Sequence, residues 1–171
     1  MRFETELLQI AKPRASHATY IHGSIFHLTI PDIGGRAKLI CNGCQWLVVD
    51  ESGTVVLHDE DAFSDAVIDR VFAGQTLHLL RAGPTLLTLR LDRSHFHAFT
   101  TEDYHLYLHD GVALRSVAWQ KTPTAARASF MLFRPMQVPV TYEFEDYCDL
   151  SSEPWAEAYL EAQSAASTGC P

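Results

Sequence analysis

Residues 94–119 read SHFHAFTTEDYHLYLHDGVALRSVAW. Within them, His95–Phe99 and Tyr104–His109 each alternate side-chain character at a period of two. That is the strand period, because successive side chains on a strand point to opposite faces. The stretch predicts a meander of three short strands carrying four of the nine histidines: His95, His97, His105 and His109. Burial selects the register. With Ala98 opposite Leu106 and Phe96 opposite Leu108, the apolar side chains share one face. The four histidines then share the other with Phe99 and Tyr107. A three-residue loop at His109-Asp110-Gly111, with Gly111 left-handed, pairs Leu108 with Val112 and Leu106 with Leu114 and keeps the same face apolar.

Similar alternation extends in both directions. Ala18–His22, Ile25–Ile30, Arg36–Cys41, Cys44–Asp50 and Thr54–His58 read as strands before the meander. Thr76–Ala82 and Thr85–Asp92 read as a hairpin around Gly83-Pro84, and Ser129–Arg134 and Val138–Phe144 as strands after the meander. Asn42-Gly43 is the strongest hairpin signal, since both central residues of such a turn need positive φ. That hairpin pairs Leu39 with Trp46 and Ala37 with Val48. Asp59–Ala73 has helical periodicity, with three acids at its start, where the helix dipole favours them. Its predicted buried stripe is Phe63, Ala66, Val67 and Val71, with Phe72 at the margin. Ser152–Ser164 is a second helix, with Trp155, Ala158, Tyr159 and Ala162 facing the core.

About ten strands and two helices imply an α+β fold, mainly antiparallel β-sheet, with one internal helix and one C-terminal helix. The sheet is expected to be a curled half-barrel or a sandwich. Residues 1–165 form one β-rich domain, followed by a frayed tail at 166–171. The 171 residues are 47% apolar and 20% charged, values of an ordered globular chain. No run approaches a membrane span, and the N-terminus lacks the apolar stretch of a signal peptide. The expected location is cytoplasmic, with the four cysteines as thiols. A net charge of −8 argues against nucleic acid as a partner.

That charge is lopsided. Residues 1–134 hold all 13 Lys and Arg with 14 of the 21 acids, and residues 135–171 hold the other seven acids and no basic side chain. Glu153, Glu157 and Glu161 recur every four residues along the C-terminal helix, a spacing at which like charges repel. They are the candidate partner-binding residues, a line of charge suited to steering a basic protein surface. A non-enzymatic inhibitor, immunity-type or accessory protein fits this pattern and needs no cofactor.

His95-Phe96-His97 followed by Glu102 supports an alternative. Two imidazoles two apart on a strand point the same way, and a carboxylate from the next turn completes a facial triad for one transition metal ion. Over about 20 residues this resembles the first metal motif of the cupins, which the resemblance extends to a metal-binding protein or metal-dependent enzyme with His95, His97 and Glu102 as ligands. The chain departs from that motif at Leu89, where cupins carry glycine, and at Gly111, displaced from the glycine position after the Glu. No histidine follows His109 to supply the second motif.

Cys41-Asn42-Gly43-Cys44 has the spacing of half a zinc site or of a redox pair. No second CxxC or CxxH accompanies it, and the Asn-Gly turn already accounts for the spacing. There is no Gly-x-Ser-x-Gly elbow and no phosphate-binding loop.

Overall fold

The computed structural model describes residues 5, 14–22, 25–32, 34–59, 64–100, 107–109, 114–116, 129–143 and 147–168. The fold is α+β and mainly antiparallel. Its strands are β1 (His17–His22), β2 (Ile25–Asp32), β3 (Gly35–Asn42), β4 (Gln45–Asp50), β5 (Val55–His58) and β6 (His78–Ala82). They continue with β7 (Leu86–Arg90), β8 (Ser94–Phe99), β9 (Tyr107–His109), β10 (Leu114–Ser116), β11 (Ser129–Phe133) and β12 (Val140–Glu143). Helix α1 spans Asp65–Phe72 and α2 spans Ala156–Thr168, with a 3-10 turn at Leu150–Ser152 between β12 and α2. One five-stranded sheet has the order β1-β2-β3-β11-β12, the other β5-β4-β8-β7-β6, and β9 and β10 form a two-stranded ribbon. The sheets do not close into a barrel. No helix among the described residues is long and apolar enough to cross a membrane.

Alternation builds the main core from one row of each sheet. In the first sheet, Ala18, Leu28, Leu39, Leu132 and Val140 sit opposite one another across all five strands, and all five are buried. In the second, the row is Leu57, Val48, Phe96, Leu89 and Leu79. Directly opposed antiparallel residues share a face, so each row presents one apolar surface, and the two surfaces belong to the same core. Phe72 of α1 meets Phe96 edge-on at 5.9 Å. The Asp69 carboxylate ties α1 to β1 by accepting from the Ala18 amide at 2.6 Å. The other face of the second sheet carries a separate core, in which Leu47, Val49, Leu86 and Phe99 pack on Trp155, Tyr159 and Leu160.

Several expected pairings are overturned. Asn42-Gly43 is not a hairpin. Leu39 pairs with Leu28 and Leu132, Trp46 pairs with Ala98, and β3 and β4 lie in different sheets. The reason lies in Trp46-Leu47-Val48-Val49, all buried. A strand apolar on both faces belongs between two layers, and β4 takes that place by leaving the sheet of β3. The predicted meander is also absent, because β4 and β7 occupy both edges of β8. The ribbon pairs Leu114 with His109 and Arg115 with Leu108, not Leu108 with Val112. Its strands do not extend the large sheet, so the burial argument for the register does not apply. Leu106, His105, Asp110 and Gly111 lie outside the described residues.

The helices shift as well. Asp59 is not in a first helical turn: it is buried at the end of β5, and α1 begins at Asp65. Ile68 and Phe72 face the core while Ala66 is exposed, because the larger pair hides more apolar surface. Phe63 lies outside the described residues. The C-terminal helix starts at Ala156 and not at Ser152. Asp149 caps the 3-10 turn before it, accepting from the Ser151 amide. Residues 166–168, expected to fray, continue the helix to Thr168.

Candidate functional site

The histidine-bearing face of β8 is the inner wall of the second core. His97 sits opposite Leu47 on one side and Thr88 on the other; Leu47 in turn sits opposite His58, and Thr88 opposite Arg81. One row thus carries His58, Leu47, His97, Thr88 and Arg81 across five strands. The neighbouring row carries Val55, Val49, His95, Arg90 and His78. As the alternation predicts, His95, His97 and Phe99 lie on the face opposite Phe96 and Ala98.

Arg81 reaches its row through a bulge. Leu79 faces Leu89 and Arg81 faces Thr88, so β6 advances two residues where β7 advances one. The extra residue, Leu80, is exposed, and the bulge re-aims Arg81 from the core side to the His97 side. The other edge strand, β5, has the same device at Val56, which is skipped between Val55 and Leu57 and is also exposed. Bulges on both edges of a sheet hinder pairing with another chain.

The C-terminal segment closes over this face. The Trp155 indole stacks on the His97 imidazole, with centroids 4.8 Å apart and planes 20° apart. It also packs against Phe99 at 5.0 Å. His97 Nδ1 lies 3.1 Å from Thr88 Oγ1, and only 8% of the residue is exposed. Burial, then the charges of His95 and Arg81, lower the His97 pKa to about 4, so the ring is neutral at pH 7. Arg81 Nη1 donates to Glu153 Oε1 at 3.0 Å. Burial and the adjacent Glu153 push the Cys148 thiol up to about 11. At the far end of the face, Tyr159 donates to Asp59 Oδ1 at 3.0 Å and accepts from Gln163 Nε2 at 2.6 Å, with His58 edge-on to its ring.

The predicted site residues fare differently. His95 and His97 do project from one face, their rings 6.3 Å apart and 15° from parallel. Glu102 lies outside the described residues. Among the described residues no three His, Cys, Asp or Glu side chains converge as a metal-binding group. Glu157 and Glu161 are exposed on α2. Glu153 does not join them in a line: it precedes the helix, its side chain is 8% exposed, and it pairs with Arg81. Trp155, Thr88 and Arg81 complete the cluster around His97. The position of Trp155 on a helical stripe indicates burial, but nothing in the local sequence signals the bulge that turns Arg81 toward it. Comparison with protein-family models, curated proteins and solved structures finds no match.

Proposed function

We propose that this chain is a non-enzymatic cytoplasmic binding module, an inhibitor, immunity-type or accessory protein, that docks a protein with a basic surface through the outer face of α2. The observation that carries the reading is the placement of Glu157 and Glu161. They are exposed one turn apart on a helix whose opposite side is set into the second core by Tyr159 and Leu160, with Trp155 just before it. A helix anchored in this way presents its charges without first having to be ordered, which lowers the cost of association. Residues 135–171 contain no Lys or Arg, and with Glu153 turned toward Arg81 the exposed acids of α2 are Glu157 and Glu161. The histidine face favours the same reading, since His97 is stacked, hydrogen-bonded and covered.

The test is association kinetics with the partner recovered by affinity capture at low salt, measured for the wild type and for Glu157→Lys/Glu161→Lys. Steering by charge makes association fast at low salt and slower as the Debye length falls toward about 3 Å at 1 M. Charge reversal is expected to lower the association rate while leaving dissociation and folding nearly unchanged. Association indifferent to both salt and reversal would refute the assignment.

A further inference from the structure

Cys41 ends the core-facing row of β3, and Cys44 immediately precedes β4. Both are buried with 0% exposure in the core between the two large sheets. Gly43, with φ +69°, turns the chain between them and brings the sulfurs to 2.9 Å. A disulfide spans about 2.05 Å, so the two sulfurs stand less than 1 Å beyond bonding distance. The same distance disfavours a shared zinc ion. Two thiolates about 2.3 Å from a tetrahedral zinc stand roughly 3.8 Å apart, and a 2.9 Å separation would close their angle at the metal to about 78°.

We infer that Cys41 and Cys44 are a dithiol that oxidation by peroxide closes to an intramolecular disulfide where the chain passes from one sheet to the other. One sulfur, as its thiolate, attacks a peroxide oxygen. The O–O bond breaks, leaving a sulfenic acid and, after proton uptake, one water. The second sulfur then attacks the sulfenic sulfur, the S–S bond forms, and the S–O bond breaks to release a second water. The two cysteines lose two electrons in all, hydrogen peroxide gains them, and the two thiol protons end in the waters. A small dithiol reverses the step and is itself oxidised to a disulfide. Burial and the neighbouring Cys44 and Asp59 raise the Cys41 thiol pKa, which lowers the thiolate fraction and slows the first step with peroxide as it does exchange with disulfides. The geometry acts on the second step: once one sulfur is oxidised, the other stands 2.9 Å away to close the bond.

The test treats the folded chain with hydrogen peroxide, quenches with catalase, and unfolds it in guanidinium with N-ethylmaleimide present. Trypsin releases residues 39–70 as one peptide holding both cysteines, since no Lys or Arg lies between Lys38 and Arg70. The expected peptide is unalkylated and about 2 Da lighter than the dithiol form, the loss of two hydrogens on disulfide formation. Dithiothreitol treatment before alkylation restores labelling at both sites. Full alkylation at Cys41 and Cys44 after peroxide would overturn the inference. So would linkage of either to Cys148 or Cys170, or sulfinic acid at one of them without a link. Wild-type protein suffices, so the result does not depend on a variant that folds.

Discussion

Trp155 lies nearly flat over His97, 4.8 Å between ring centroids, and this one stack ties the C-terminal segment to the middle strand of the second sheet. Tyr159, one helical turn on, meets Phe99 edge-on at 5.4 Å. His97 is therefore an interior side chain, and its chemistry is that of a buried neutral imidazole.

Stability should depend on pH through His97. Its folded pKa, about 4, lies below the ordinary histidine value of 6.5, so between those values the unfolded chain binds the proton more readily. Stability is then fully present above about pH 6.5, is lost as pH falls toward 4, and levels off below the folded value, a total of roughly 3 kcal/mol. His97→Phe, which keeps an aromatic ring under Trp155, should flatten this part of the profile. Denaturant titrations of both proteins between pH 4 and 7.5 measure it, and parallel profiles would show that His97 does not contribute.

Removing the lid should have two separable effects. Trp155→Ala should cost about 3–5 kcal/mol, as for other buried Trp truncations. In molecules that remain folded, the His97 pKa should rise toward its ordinary value, because burial is the first cause of its depression. An NMR titration of the histidine ring protons checks the second effect. An unchanged His97 pKa in a folded Trp155→Ala protein would mean that other groups bury the ring.

The end of β2 is held to the β11–β12 turn by a two-point ion pair. Arg134 Nε donates to Asp32 Oδ2 at 2.8 Å and Nη2 to Oδ1 at 3.1 Å, with the Arg and Asp side chains only 10% and 3% exposed. Asp32→Ala should cost about 3 kcal/mol or more by leaving a largely buried guanidinium without its carboxylate. Glu153→Ala should cost less, about 1 kcal/mol or below, because the Arg81 side chain opposite it is 57% exposed and screened by water. Urea denaturation midpoints rank the two, and the reverse order would contradict the burial argument.

Gly43→Val tests the sheet-to-sheet corner. Gly43 has φ +69°, a conformation that a β-branched residue resists, so a loss of roughly 1–3 kcal/mol is expected. Because the corner also sets the approach of Cys41 to Cys44, the variant should form less of their disulfide in peroxide. Wild-type stability and wild-type disulfide yield together would show that the corner tolerates a different backbone.

Periodicity and composition alone were enough for the fold class, for the faces of β8, and for the buried Trp155 and Tyr159. Each rests on side-chain spacing within a single element, and spacing reports which residues share a face. Strand pairing was not legible, because it depends on which edges are already taken. Asn42-Gly43 has hairpin chemistry, yet it serves a corner, since β2 and β11 flank β3 while β5 and β8 flank β4. The C-terminal acids show the same divide. Glu157 and Glu161 are exposed on α2 as their spacing suggests, whereas Glu153 is held by Arg81, 72 residues away in sequence. That pairing needs the bulge at Leu80 to turn Arg81 over and Trp155 to bring the segment down onto the sheet. Both are consequences of packing between elements, which local sequence does not encode.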